Sequence, residues 1–435
     1  MMKIEELYRL FTQSEGVTTD SRAIKPGCIF FALKGDNFDG NDFAAAAIEK
    51  GASWSVADRA DVAGEKIIMV DNVLSTLQQL ARYHRGQLGI PLFALTGTNG
   101  KTTTKELVSA VLSAKYKVAS TAGNLNNHIG VPLTLLKMDS STEMAVVEMG
   151  ASGPGEIRDL CEIARPDMGL ITNVGKAHLL GFGSFEGVKK TKGELYDFLE
   201  QNGSTALYNI DNPNLCGMIE QRKNLRKVAY GLNYSGARIL PASPEEPFLR
   251  IALEDGKVVN TQLVGSYNAE NVMAALAAAE LTGTDRGLAV AAIENYRPSN
   301  NRSQMVRGKD NLLIVDAYNA NPTSMRAALE NFRQMEAANK VVIMGDMLEL
   351  GADSQKEHKE ILDIARTINI RYYFFVGSEF RSAAAGDEYY STKGNFFEDS
   401  LRLKEFLEEN PLRGNTILIK GSRGTKLEKA LEILS

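Results

Sequence analysis

The run Thr96-Gly97-Thr98-Asn99-Gly100-Lys101-Thr102-Thr103 follows the apolar stretch Pro91 to Leu95 and precedes a helix-favouring stretch, Lys105 to Ala114. It reads as a strand, a glycine-rich loop and a helix start, which together make a phosphate cradle. Glycines let the backbone approach oxygens that a Cβ would exclude, and the helix N-terminus presents N–H groups to an anion. Lys101 has the reach for the outer phosphates and Thr102 carries a hydroxyl suited to Mg²⁺. ATP is the expected nucleotide. Leu95 stands where the general phosphate loop has its first glycine, five residues before the Gly-Lys pair.

Other chemistry-bearing residues share one setting, the end of an apolar run. Met144 to Val147 delivers Glu148, a carboxylate placed to ligate a cation beside a phosphate loop. Met168 to Thr172 leads through Asn173 to His178, which on spacing alone is either an oriented metal ligand or a core imidazole. Leu312 to Val315 leads to Asp316, Tyr318 and Asn319, while Asn321 and Pro322 suit the N-cap and first turn of a helix. Gly345-Asp346-Met347-Leu348-Glu349-Leu350-Gly351 and Lys420-Gly421-Ser422-Arg423-Gly424 follow two further strands. Lys189, Lys190 and Lys192 lie on a predicted helix, where such lysines ordinarily form a solvated face.

Those strand ends must be gathered by a scaffold, and the alternation of elements supplies one. Strands are predicted at 92–95, 144–148, 168–172 and 205–209, with helices at 101–114, 155–164 and 185–200 between them. A hairpin (248–253 with 257–264) and an alanine-rich helix (268–281) follow. After the break Arg297-Pro298-Ser299-Asn300-Asn301, read as a hinge, the alternation resumes through 311–315, 323–335, 340–344, 355–367, 372–376, 396–408, 416–420 and 426–434. Alternation implies mainly parallel sheets with ligands at the carboxyl ends of the strands. Before it, residues 1–88 hold short strands at 28–33 and 66–70 and helices at 42–50 and 74–85. The expected fold class is α/β in three domains. These are a small α/β domain (1–88), a central phosphate-loop ATPase-like domain with a parallel sheet (89–297), and a Rossmann-like α/β domain (298–435).

Size and composition agree with several domains and exclude other classes. The chain has 435 residues, 44% of them hydrophobic and 24% charged, with a formal net charge of -5. That charge argues against a general nucleic-acid binder, although focused cations can still hold a highly anionic small molecule. Cys28, Cys161 and Cys216 fit neither a disulfide framework nor a zinc site. No signal-type segment and no run near the ~20 apolar residues of a membrane span is present, so a cytoplasmic protein without membrane insertion is expected.

Taken together, the Thr96 to Thr103 loop, the run Gly123-Asn124-Leu125-Asn126-Asn127-His128-Ile129-Gly130-Val131-Pro132, the Tyr318 to Asn321 run and the Gly345 to Gly351 loop resemble the Mur ligase family over almost the whole chain. That family's loop lacks the early glycine, which accounts for Leu95. The more selective runs resemble the branch that joins D-alanyl-D-alanine to UDP-N-acetylmuramoyl-tripeptide, with ATP activating the acceptor carboxylate as an acyl phosphate. The resemblance implies that Gly97 to Thr103, Asn268, Asn271, Arg302 and Asp316 hold ATP. It implies Ser21, Arg22, Asn126 and Asn127 for the sugar-peptide substrate. It also implies Thr102, Glu148, His178 and a carbamylated Lys192 for two Mg²⁺ ions, with Lys101 beside them in catalysis, and a monomer. Asn41 stands where relatives often place His, and Thr425-Lys426-Leu427 precedes Glu428 where Met is common. A sister ligase adding another amino acid, or a nucleotide switch without catalysis, are the competing expectations.

Overall fold

The computed structural model describes residues 2–434 except 178, 244, 245, 300 and 338. Its amino-terminal part is a four-stranded parallel sheet in the order Val17–Thr18, Ile29–Phe31, Trp54–Ala57, Ile67–Met69. The helix Val73–Leu88 closes this part and also buries Leu77, Leu80 and Ala81 in a core continuous with Val131, Leu135 and Leu160 of the next part. Two buried polar side chains fix that junction. Arg85 donates to the carbonyl of Ala164 at 3.1 Å and to Asp167 at 2.8 Å, and His84 Nε2 lies 2.8 Å from the carbonyl of Met138. Asn41 is also buried and structural: its amide bonds Asp39 and Asp58, and it accepts the backbone N–H of Asp58.

Six parallel strands form the central sheet, in the order Arg226–Tyr230, Thr205–Asn209, Met168–Ile171, Leu92–Thr96, Met144–Glu148, Val118–Ser120. All residues of Leu92–Thr96 and Met144–Glu148 are buried, as strands covered by helices on both faces must be. The chain order reverses around Leu92–Thr96, so the loops after its two neighbours flank its own loop. Such a switch point opens a crevice at the carboxyl ends. A separate antiparallel sheet, Arg238–Leu240, Arg250–Ala252 and Val258–Asn260, packs through Ile251 and Val259 into the core under the helices Lys101–Ser113 and Ala269–Leu281.

In the carboxy-terminal sheet the order is Gln304–Arg307, Leu312–Asp316, Thr416–Lys420, Lys340–Gly345, Tyr372–Val376, Gly394–Phe397, with only Gln304–Arg307 antiparallel. One expectation needs correcting: 396–408 is not one element. Phe396 and Phe397 end an edge strand, and Asp399 then caps a new helix, Ser400–Glu409, by accepting from the N–H groups of Leu401 and Arg402. Among the described residues the three cysteines are free thiols, and no helix is long and apolar enough to cross a membrane.

Candidate active site

The loop after Leu92–Thr96 has its shape because two of its residues have no side chain. Gly97 sits at φ +147, where a Cβ would come within 2.0 Å of Thr172 Oγ1. Gly100, at φ +76, N-caps the helix Lys101–Ser113, and its Cβ would lie 2.6 Å from Asn271 Oδ1. The neighbouring strand's loop supports it: Asn173 Oδ1 accepts from Asn99 N at 2.9 Å, and Thr172 Oγ1 donates to Asn99 O at 2.7 Å. Lys101 Nζ lies over the loop, donating to the carbonyls of Gly97 (2.8 Å) and Thr98 (3.0 Å). Burial lowers the pKa of this amine, Glu148 opposes that shift, and the nearby Arg302 adds to it. Two cations therefore converge beside the loop, an arrangement suited to a polyphosphate.

Glu148 enters from the strand on the other side. Its backbone N–H donates to Thr121 Oγ1 and its Oε1 accepts from Asn126 Nδ2 at 2.8 Å, yet Oε2 is buried without a hydrogen-bond partner. An orphaned carboxylate oxygen in a buried position is costly unless something positive satisfies it. A cation held by Glu148, the Thr102 hydroxyl and phosphate oxygens fits this donor set, since Mg²⁺ takes few protein ligands alongside substrate phosphates. Among the described residues no cluster of three or more His, Cys, Asp or Glu side chains is arranged to hold a metal by itself. His178 lies outside the described residues.

Lys192 does not belong to a solvated face. The helix Phe185–Gln201 turns it inward, 3% exposed, with Nζ 3.4 Å from the Ala151 carbonyl and 5.4 Å from the centre of the Phe182 ring. Desolvation, reinforced by Lys101, pushes its pKa down from 10.5 to about 7. A large part of this amine is thus neutral and nucleophilic near neutral pH.

The carboxy-terminal domain completes the site. In-register pairing of Leu312–Asp316 with Thr416–Lys420 sets Asp316 opposite Lys420, whose buried amine bonds Asp316 Oδ2 at 2.6 Å. Asn321 caps the helix Pro322–Gln334 by accepting from Ser324 N, and its Nδ2 also donates to Asn99 Oδ1 of the phosphate loop at 2.7 Å. A second tie joins Lys176, from the loop beside the phosphate cradle, to the fully buried Glu357 at 2.9 Å; Glu357 is held from its own domain by Arg326 at 2.6 Å. At the domain junction Asn301 (φ 55) and Ser303 (φ 47) both adopt left-handed backbone around Arg302. Arg302 is thereby aimed into the space between domains.

One cavity of about 650 Å³ unites these parts. Of the expected residues, Thr98 to Thr103, Asn126, Asn127, Glu148, Asn268, Asn271, Arg302 and Asp316 line it. Gly97 and Lys192 are not among the residues that line it. Ser21 and Arg22 are elsewhere, on the amino-terminal domain, where Arg22 pairs with Asp20 and holds that carboxyl down at about 2. Asn268 and Asn271 are partly committed to structure: Asn271 donates to Asn268 Oδ1 and accepts from Thr104, thereby buttressing Gly100. The sequence gives no signal for Thr121 and assigns no role to Asn173, whereas Lys420 belongs to a polar strand end that it does single out. All three follow or end a strand at its carboxyl edge, as Glu148 does; the strand before Thr121, Val118–Ser120, was itself unpredicted.

A phosphate loop, a flanking carboxylate and a second α/β domain closed over them define an ATP-dependent ligase, and the chain belongs to the Mur ligase family. Three family models match in succession: "Mur ligase family, catalytic domain" at residues 13–85, "Mur ligase middle domain" at 95–279, and "Mur ligase, glutamate ligase domain" at 301–423. The chain is similar to the UDP-N-acetylmuramoyl-tripeptide--D-alanyl-D-alanine ligase of Bacillus subtilis (34% identity, 97% of this chain and 93% of the relative). It is similar to the Escherichia coli ligase of the same name as well (36%, 97% and 93%). Among solved structures, the MurF ligase of Thermotoga maritima in complex with ADP superposes with a TM-score of 0.85 at 27% identity, covering 98% of this chain and 97% of that one.

Proposed function

We propose that this chain joins D-alanyl-D-alanine to the carboxyl end of UDP-N-acetylmuramoyl-tripeptide, with ATP converted to ADP and phosphate, to make the pentapeptide precursor of peptidoglycan. The observation that carries the reading is the single cavity in which the phosphate loop, Asn126, Glu148 and the strand ends of the carboxy-terminal domain face one another. Relatives of that activity at 34% and 36% identity over 97% of the chain support the choice of substrates.

A carboxylate is a poor electrophile, so the γ-phosphoryl group of ATP is first transferred to it. The dipeptide amine then attacks the acyl phosphate, the tetrahedral intermediate collapses with loss of phosphate, and an amide remains. Here Lys101, Arg302 and the N–H groups at the start of Lys101–Ser113 balance charge on the transferred group, and catalysis is chiefly positioning and electrostatics. Asn126 and Asn127 contact the sugar-peptide, with Ser21 and Arg22 holding its uridine diphosphate end. Asn268, Asn271 and Asp316 serve the adenosine side.

Thr102, Glu148, His178 and Lys192 would hold magnesium, which supplies charge neutralisation at the phosphates. The low basicity of Lys192 supports carbamylation, because only a neutral amine adds to CO₂, and the product is an anion suited to a second ion. Asn321 and Glu357 keep the domains closed, which excludes water from a reactive acyl phosphate. We place 1–88 as the UDP-substrate-binding domain, 89–297 as the central ATP-binding domain and 298–435 as the Rossmann-like ligase domain of a cytoplasmic monomer.

Incubation with the nucleotide-linked tripeptide, ATP and D-alanyl-D-alanine, followed by mass detection, tests this. The pentapeptide product is expected with equimolar ADP and phosphate. Turnover with glutamate or a diamino acid, and none with the dipeptide, would overturn it.

A further inference from the structure

Tyr318 has no part in the mechanism so far, yet it occupies a distinctive place. Its ring lines the cavity, with the Arg302 guanidinium carbon 3.6 Å from the ring centre and that of Arg423 at 5.4 Å. Among the described residues neither arginine has a carboxylate within ion-pair distance, and Arg302 Nε is buried without a hydrogen-bond partner. Two guanidinium groups therefore share one aromatic support while remaining free to bind anions. Stacking suits this, since a π face attracts a cation without consuming its N–H donors.

The two cations face different tasks. Arg302 lines the same cavity as the phosphate loop, Thr98 to Thr103, which puts it on the nucleotide side. Arg423 follows Lys420–Gly421–Ser422, exposed and within stacking range of the cavity-lining Tyr318, and its loop is tightly held. Ser422 Oγ accepts from Leu348 N at 3.0 Å, Thr425 Oγ1 donates to Ser422 O at 2.6 Å, and a Cβ on Gly421 would lie 2.9 Å from Gly345 Cα. An exposed, unpaired guanidinium on a tightly held loop beside the cavity-lining Tyr318 is matched to a carboxylate.

Resting on the ligase reading above, we propose that Tyr318 is a positioning residue that stacks both arginines, and that Arg423 binds the terminal carboxylate of the dipeptide and so sets its specificity. The Tyr318 ring, not its hydroxyl, does this work. Arg302 acts on the nucleotide and Arg423 on the amine substrate, so the two Michaelis constants respond separately.

The test uses the full-length enzyme with D-alanyl-D-alanine and its C-terminal amide. Wild type is expected to prefer the acid by roughly tenfold or more in kcat/KM, the scale of one charge-assisted contact. Arg423→Gln should raise KM for the dipeptide about tenfold, leave KM for ATP unchanged and abolish the acid-over-amide preference. Tyr318→Leu should raise both KM values, while Tyr318→Phe restores them. An unchanged acid-to-amide ratio in Arg423→Gln overturns the carboxylate assignment, and a Phe variant as impaired as the Leu variant overturns the platform. Failure of the wild type to use D-alanyl-D-alanine at all would instead refute the ligase reading, which separates the two.

Discussion

Replacing Lys192 by methionine is expected to make the chain inactive and more stable at once. The side chain is 3% exposed, its contact with the Ala151 carbonyl is long at 3.4 Å, and the Phe182 ring lies 5.4 Å away, so little compensates for its desolvation. Its pKa falls from 10.5 to about 7, whereas the unfolded chain keeps the ordinary value. Between those two values the unfolded state binds more protons. Stability therefore rises with pH across that window and is level below it, where both states hold the proton.

At about 1.4 kcal/mol per tenfold change in protonation, the folded state bears up to about 4 kcal/mol near pH 7. Methionine has similar volume and no charge, so it should recover about 2–4 kcal/mol there and less than about 1 kcal/mol near pH 10. Urea unfolding is the assay, run without magnesium in CO₂-depleted buffer so that the lysine stays an amine. A methionine variant that unfolds at lower urea than wild type near pH 7, or a gain that does not shrink as pH rises, would refute the argument from burial.

Lys101→Ala should leave the fold intact and abolish ligation; circular dichroism and product formation check this, and normal turnover in a folded variant would contradict the role. Glu357→Ala removes a fully buried carboxylate shared by Lys176 and Arg326. Both cations are partly exposed, so the cost should fall between that of an exposed pair and the ~3–5 kcal/mol of breaking a buried one, at about 1–3 kcal/mol. Small-angle scattering should show a more open chain and kinetics a higher KM for ATP, and no change in either would rule out a latch. Burial lowers the pKa of His84 below 6.5, so the unfolded chain takes the proton first and stability is lost as pH falls through 6.5. The melting temperature should drop less between pH 8 and 5.5 in His84→Gln than in wild type.

The legible features were those whose burial follows from their own sequence. Leu92–Thr96 and Met144–Glu148 are apolar runs covered on both faces, and each ends where polarity begins, so their final residues announced themselves. Short edge strands were not visible: Val118–Ser120 and Gln304–Arg307 carry no fully buried residue and little pattern. Gly394–Phe397 was merged into the helix after it for the same reason. Lys192 looked like one lysine among three because its burial is decided by packing of the helix Phe185–Gln201, not by its neighbours in sequence. The ties across the domains, Asn99 with Asn321 and Lys176 with Glu357, join residues more than 180 positions apart. Each partner was explicable locally, Asn321 as a helix cap, so nothing signalled the second bond.

Carboxylate activation is the centre of the account, and isotope transfer tests it most directly. The tripeptide substrate is labelled with ¹⁸O in its acceptor carboxylate, turned over with ATP and D-alanyl-D-alanine, and the released phosphate is analysed by mass. One labelled oxygen should appear in each phosphate, carried there when the amine displaces it from the acyl phosphate. Phosphate free of label, with the oxygen lost from the carboxylate released as water instead, would contradict the mechanism.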